Sequence, residues 1–236
     1  MKFVIDLHTH TMASGHGYST FTENITQACE NGLEVYGLSE HAPGMPGGPH
    51  IFFFHNMKVL PKVLKGMRIL RGCEANIMDL DGTLDMEPRS LKKLDYVIAS
   101  MHVVCVESGT ACENTDALIK VMDNPYVTII GHPDDTRYPL DYERLVLASK
   151  EKGVLLEVNN SSLNPHSSRV GGVENVTKML AFCKRYEVPV ILGTDSHYHT
   201  QIGDFHDTKL LLDQLDFPME LVVNTSLEKL RKYIKI

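Results

Sequence analysis

Two pairs of side chains in this sequence have the spacing of metal ligands. His8 and His10 are separated by one residue and follow an apolar run at residues 3–5. Successive side chains of an extended chain point to opposite sides, so these two imidazoles share a side and can bind one metal ion. Asp195 and His197 repeat the spacing after another apolar run. The two pairs therefore indicate nitrogen and carboxylate donors for a metal.

Further donors follow other apolar runs. His41, His102 and His132 each come shortly after a run of aliphatic residues. Glu74 lies inside such a run, where a carboxylate is costly unless it is paired or metal-bound. His16 lies in a loop that contains two glycines. A lone histidine at a strand end is usually a hydrogen-bonded structural residue, but the repetition of this pattern along the chain favours a shared role.

The elements that must position these donors alternate along the whole chain. Strands are predicted at residues 3–7, 35–38, 67–77, 96–99, 127–130, 154–158 and 188–192. Helices are predicted at residues 20–31, 51–65, 114–122, 142–152 and 173–183, with others around 211–215 and after 225. Capping boxes at Thr20 with Glu23 and at Thr225 with Glu228 would begin the first and the last helix.

This alternation predicts βα units, a parallel sheet and a single α/β domain spanning residues 1–236. Right-handed crossovers bring the carboxyl ends of all the strands to one face. In a closed barrel those ends converge on one mouth, whereas an open sheet would hold the donors of its edge strands far apart. The distribution of donors therefore favours a seven-stranded barrel.

Composition narrows the class of protein. The hydrophobic fraction of 43% is ample for a core, and the net charge of −7 argues against a general nucleic-acid binder. The five cysteines are scattered and suit reduced thiols rather than a disulfide framework. The N-terminal apolar run is interrupted by Asp6, and no run approaches the ~18 apolar residues of a membrane span. We therefore expect a cytoplasmic protein.

The donor types indicate the metal and the reaction. Imidazole and carboxylate donors without sulfur suit Zn²⁺, Mn²⁺ or Fe²⁺ at a catalytic site. The donors exceed what one ion can use, so they can serve two or three ions, with a carboxylate such as Glu74 bridging a pair. Clustered divalent ions supply hydroxide near neutral pH and clamp phosphate oxygens. No P-loop motif is present. We therefore expect the protein to act on phosphate esters through its metal ions and not through a P-loop.

Eight segments in this order resemble the polymerase-and-histidinol-phosphatase (PHP) family, and most closely its small stand-alone phosphatases. They are HTH at residues 8–10, ASGH at 13–16, EH at 40–41, RGCEAN at 71–76, SMH at 100–102, GHP at 131–133, EVNNSS at 157–162 and GTDSH at 193–197. The resemblance covers essentially the whole chain. It implies a distorted (β/α)7 TIM-like barrel with a trinuclear metal centre at the carboxyl ends of the strands.

The resemblance also implies how the donors divide among three divalent ions, zinc above all. The first ion would be bound by His8, His10, Glu74 and Asp195, the second by Glu74, His102 and His132, and the third by His16, His41 and His197. Two departures are visible: Glu40 stands where the family usually has aspartate, and Asp134 and Asp135 add acid after the fifth strand. Neither removes a ligand.

The activity that follows is a phosphomonoesterase that uses metal-bound hydroxide on a small phosphorylated substrate. Glu74 and Asp195 are the expected catalytic residues, with Asp195 or a metal-bound water as the options for the acid. Arg169 is a candidate phosphate clamp because its planar fork suits phosphate, and Asn160 and Ser14 are further expected substrate contacts. Whether the protein forms a homo-oligomer stays open.

Three other functions stay open. The same metal mouth can cleave phosphodiesters, although the net negative charge argues against long polynucleotides. A non-catalytic metal-binding scaffold would keep the ligands without turnover. An amidohydrolase also begins with His-x-His, but its usual lysine or histidine bridging pattern is not evident here.

Overall fold

The strands form two sheets that together make a ring. The computed structural model describes residues 2–235. One sheet has the order β1 (Ile5–Asp6), β2 (Val35–Leu38), β4 (Met67–Arg71) and β3 (Val63–Leu64). The other has the order β5 (Glu74–Asn76), β6 (Ile98–Ser100), β7 (Ile129–Ile130), β8 (Leu155–Asn159) and β9 (Val190–Gly193). All neighbouring strands are parallel except β3, which pairs antiparallel with β4.

The two sheets meet at single bridges rather than at continuous ladders. A parallel bridge joins His41, beyond β2, to Glu74 at the start of β5. A second parallel bridge joins Thr9, beyond β1, to Ser196, beyond β9. The third predicted strand is split into β4 and β5 at Gly72, where an added Cβ would lie 2.3 Å from the buried ring of Tyr96. The prediction of a distorted α/β fold of parallel strands is thus confirmed, with β4 and β5 serving as one strand, although continuous strand pairing does not close the barrel.

An apolar cluster inside the ring receives a residue from each strand except β3 and β5. Its members from the strands are Ile5, Val35, Leu70, Ile98, Ile129, Leu155 and Ile191. Val223, Leu230 and Ile234 of the C-terminal segment belong to the same cluster. A second, larger cluster packs the helices on the outside of the strands. The interior of the barrel is therefore filled with side chains, as barrel interiors are.

Helices occupy most of the predicted positions. They are α1 (Phe21–Glu30), α2 (Ile51–Asn56), α3 (Pro88–Leu91), α4 (Ala111–Val121), α5 (Tyr142–Lys152), α6 (Asn160–Leu163), α7 (Gly172–Tyr186), α8 (His206–Gln214) and α9 (Leu227–Leu230). The capping box of Thr20 and Glu23 begins α1 as predicted. None of the helices within residues 2–235 has both the length and the apolarity needed to cross a membrane.

Two local predictions are wrong. The helix predicted over residues 51–65, with a break or kink at Pro61, ends at Asn56 and is followed by one turn of 3-10 helix at Met57–Val59. The rest of that stretch is β3, and Lys65 and Gly66, both with positive φ, turn the chain back into β4 as a hairpin. The last helix is capped by Ser226, whose side chain accepts a hydrogen bond from the backbone N–H of Lys229, and not by Thr225.

Candidate metal centre

Glu74 lies at the centre of the predicted donors. It begins β5, where the strand leaves the apolar core, and its side chain is fully buried. Its Oε1 lies 2.9 Å from Nε2 of His132 and 3.2 Å from Nε2 of His102. Its Oε2 lies 2.7 Å from Nδ1 of His41. One carboxylate therefore faces histidines that come from three different strand ends.

The first strand delivers the next two donors. Nε2 of His8 lies 3.4 Å from Oε1 of Glu74 and 3.5 Å from Oδ1 of Asp195. Nε2 of His10 lies 3.5 Å from Oε2 of Glu74 and 3.2 Å from the same Oδ1 of Asp195. The two imidazoles thus point into one space, which the alternation of side chains along an extended segment predicts.

The last two histidines close the cluster on its outer side. The ring of His197 stacks on that of His10, with centroids 4.4 Å apart. The ring of His16 stacks between His41 and His197, at 4.9 Å and 4.7 Å. The structure therefore brings all the predicted metal ligands into one cluster, including the loop residue His16.

Two of these residues have strained backbones. His132 has φ 30° and Asp195 has φ 52°, a region that residues other than glycine rarely adopt. The backbone N–H of Asp195 donates to the carbonyl oxygen of His8, 2.8 Å away, which helps to hold this conformation. Strain of this kind is characteristic of functional sites.

Unpaired buried atoms test whether the cluster fits metal ions. Buried atoms without a hydrogen-bond partner converge here: Nε2 of His8, His10, His102 and His197. Nδ1 of His41 and Oε2 of Glu74 lie 2.7 Å apart but do not have the geometry of a hydrogen bond, so they are also unpaired. Leaving such atoms unpaired in a dry interior costs free energy. Three groups have donor atoms close enough to share an ion: His8 with His10 and Glu74, His41 with Glu74 and His102, and His10 with His41 and His197. The donor set therefore fits divalent metal ions.

The charges of the cluster suit the same role. Burial opposes ionisation of Glu74, but the surrounding histidines hold the pKa of its carboxyl well below its usual range. Burial and neighbouring imidazoles hold the pKa of His10 well below its usual range, and burial lowers the pKa of His132 to about 4. Burial also opposes protonation of His8, but the carboxylates around it, led by Glu157, raise its pKa well above normal. The Glu74 carboxylate and the neutral imidazoles of His10 and His132 are the forms that bind metals, whereas His8 would have to release a proton when an ion binds.

A cavity of about 320 Å³ opens over the cluster. Arg169 lies on its wall, with Nη2 2.5 Å from Oδ2 of Asp195 and Nη1 3.2 Å from Oγ of Ser162. An adjoining cavity of about 250 Å³ shares Arg169 and is lined further out by Val104 and Tyr138. A larger cavity of about 700 Å³ lies against Phe52 and has no predicted donor in its wall. The cationic side chain and the donors thus face the same space.

Two predicted substrate contacts do not face that cavity. Ser14 is fully buried; its hydroxyl donates to Oε2 of Glu40 and accepts from the backbone N–H of His41. Oδ1 of Asn160 accepts from the backbone N–H and the hydroxyl of Thr208, both 2.9 Å away. The Ser14 hydroxyl and the Asn160 amide oxygen are thus bound within the protein, and substrate contact by these two residues stays a prediction. Glu40 likewise serves to hold the loop of Ser14.

Two buried residues that support the donors were not predicted. Oε1 of Glu157 lies 2.7 Å from Nδ1 of His8, and Oδ1 of Asn76 lies 2.8 Å from Nδ1 of His102. Both positions were visible as polar residues inside apolar strands, the same signal that identified Glu74. The sequence could not show which histidine each of these two residues contacts.

Comparison with known proteins identifies the family. The PHP domain profile matches residues 6–161. A probable phosphatase of Clostridium novyi is 50% identical over 235 residues, which cover 100% of this chain and 96% of the relative. A probable phosphatase of Acetivibrio thermocellus is 46% identical with the same coverage. This chain belongs to the PHP domain family.

Two solved structures contain a chain with a fold similar to this one. One is the crystal structure of histidinol phosphate phosphatase from Lactococcus lactis complexed with zinc, L-histidinol and phosphate. It has a TM-score of 0.62 and 18% identity, with 92% of this chain and 95% of that chain covered. The other is a chain in the cryo-EM structure of archaeal ribonuclease P with mature tRNA, with a TM-score of 0.58, 17% identity, and 97% and 89% covered. At these identities the likeness establishes the fold alone.

Proposed function

We propose that this PHP protein is a metal-dependent phosphatase that hydrolyses small phosphomonoesters, with the whole chain as one catalytic domain. The observation that carries the proposal is the set of unpaired histidine and carboxylate atoms around Glu74, opening into a cavity that Arg169 also lines. The names of the similar proteins support the reaction class. The donor groups support a centre of three ions, with zinc as the first choice because a zinc complex is known for a protein of this fold.

Each residue has a defined task in this proposal. The histidines and Glu74 hold the ions, which supply Lewis acidity and lower the pKa of a bound water when present. Arg169 orients a phosphate oxygen with its guanidinium fork. Burial opposes ionisation of Asp195, but His8 and Arg169 hold the pKa of its carboxyl well below its usual range. We therefore assign Asp195 a ligand role rather than the role of proton donor.

The size of the mouth favours a small substrate. Cavities of about 320 Å³ and about 250 Å³ accommodate a phosphate and a compact alcohol. The net charge of −7 opposes the approach of a long polyanion. Phosphodiesters of short oligonucleotides are the competing substrate class.

Phosphate release from a panel of monoesters and diesters tests the proposal. The protein is assayed loaded with zinc, loaded with manganese, and chelated, beside His8→Ala. His206→Ala, at an exposed helix start, is the matched control. Monoester turnover that vanishes on chelation and in His8→Ala, but not in His206→Ala, is expected. Cleavage of diesters alone would establish the competing activity, and no turnover by metal-loaded protein would favour a binding role.

A further inference from the structure

Glu157 lies beneath the metal centre with three hydrogen-bond donors around its carboxylate. Its Oε1 lies 2.7 Å from Nδ1 of His8. Its Oε2 accepts from the backbone N–H of His132 at 2.7 Å and from the side-chain amide of Asn159 at 3.0 Å. The side chain is 1% exposed. Burying a carboxylate is costly unless its oxygens have hydrogen-bond partners, and here both oxygens do.

The neighbouring strand leaves space for this carboxylate. A Cβ added at Gly193, in β9, would lie 1.8 Å from Oε1 of Glu157 and 2.8 Å from Cβ of His8. No side chain can occupy that position while Glu157 keeps its place. Gly193 has no positive φ that would otherwise require glycine. The glycine therefore serves the contact between Glu157 and His8.

Two of the three donors around Glu157 belong to different proposed metal ligands, His8 and His132. By accepting a hydrogen bond from Nδ1–H, Glu157 fixes the His8 ring as the tautomer whose Nε2 lone pair faces Glu74 and Asp195. Accepting from the backbone N–H of His132 holds a residue whose φ of 30° is strained. One carboxylate thus positions an imidazole ring just after β1 and a backbone segment just after β7.

We propose that Glu157 is a positioning residue that organises His8 and His132 together, a role that rests on the proposed metal centre. Glutamine cannot replace it. Its single amide oxygen can accept from His8 or from His132, and its NH₂ group then faces the other donor. The change therefore disrupts one ligand whichever way the amide turns.

Metal binding by Glu157→Gln tests this role without relying on turnover. Affinity for zinc is measured by competition with a chromophoric chelator, and cobalt absorption bands report the ligand geometry. Glu174→Gln, on the exposed face of α7, is the matched control. We expect zinc affinity to fall ~10–100-fold and the cobalt bands to change in Glu157→Gln alone. Wild-type affinity together with a wild-type cobalt spectrum would overturn the proposal.

Two further measurements separate positioning from general damage to the fold. Gly193→Ala keeps every charged group and should weaken zinc binding in the same direction by displacing the carboxylate. In zinc-loaded wild-type protein, ¹H–¹⁵N spectra of the histidine rings should show a proton on Nδ1 of His8. A His8 ring without that proton refutes the proposal even if both variants misfold. Failure of the wild type to bind zinc would instead refute the metal centre itself, and this inference with it.

Discussion

Glu74→Gln is the substitution that most sharply tests the metal centre. It preserves the volume of the buried side chain and removes the charge that five histidines approach within 3.5 Å. One carboxylate oxygen becomes an NH₂ group, which cannot bind a metal. Glu74 belongs to two of the three donor groups, and the third, His10 with His41 and His197, lacks it. We therefore expect two ions to be lost and one to remain.

The size of the effect follows from linkage between binding and folding. A site filled at about 100 times its dissociation constant stabilises the fold by ~2.7 kcal/mol, so three such sites contribute ~8 kcal/mol and one contributes ~3 kcal/mol. For a chain of this length, 1 kcal/mol shifts Tm by ~2–4 °C. Chelation should then lower Tm by ~15–30 °C in the wild type and by ~5–10 °C in Glu74→Gln. Turnover should fall ~10³-fold or more, a barrier increase of ~4 kcal/mol.

The assay compares each protein with and without zinc, so any effect of the substitution on the metal-free fold cancels. Bound zinc is counted by elemental analysis, and Tm is measured by calorimetry at fixed free zinc. Glu174→Gln should match the wild type in every measurement. Three bound ions, an unchanged chelation shift and wild-type turnover in Glu74→Gln would refute the bridging role of Glu74.

Three other predictions address the cavity, the core and the thiols. Arg169→Met should raise KM for a phosphomonoester ~10–100-fold, because a charged hydrogen bond contributes ~1.5–3 kcal/mol, and it should leave bound zinc unchanged. Steady-state kinetics test this beside the exposed control Arg144→Met. An unaltered KM would show that Arg169 does not bind phosphate. Leu156→Ala, at a fully buried position of β8, should lower the free energy of unfolding by ~2–5 kcal/mol in urea titrations; a change under about 1 kcal/mol would mean that this core is not tightly packed. Burial raises the pKa of Cys105 to about 11 and that of Cys183 to about 12. Both thiols therefore stay protonated at pH 8, and an aromatic disulfide reagent should modify the exposed Cys112 first. Cys105 and Cys183 should react only as the pH approaches their pKa values or after unfolding. Equal modification rates for the three thiols at pH 8 would contradict this.

Much of the fold could be predicted from local pattern. Helix Tyr142–Lys152 and strand Val35–Leu38 lie where apolar periodicity and end signals placed them. The capping box at Thr20 was also correct, because each of its hydrogen bonds spans three residues and requires no distant partner. The β3 hairpin was missed because Lys65 at positive φ is stabilised by pairing with β4, whereas the residue type alone does not favour that turn.

The residues of the donor cluster could also be named from the sequence, since a donor at a strand end keeps its direction whatever the neighbouring strand is. His8 and His10 point to the same side because side chains in an extended chain alternate with a period of two residues. Glu74 could be identified because it is a carboxylate within an apolar run. Ser14 and Asn160 could not be placed in the same way. Their hydroxyl and amide groups have several local and distant partners to choose from, and packing decides among them.

What only the tertiary structure decided is which residues meet across the barrel. Glu157 and His8 are 149 positions apart in the sequence. Their contact depends on how β8 and β9 align with the segment that follows β1. The need for glycine at position 193 depends on the same contact, because a side chain there is excluded only by the Glu157 carboxylate and by His8. Sequence determines the direction of a side chain through local backbone geometry, whereas its partner is determined by the long-range pairing that closes the fold.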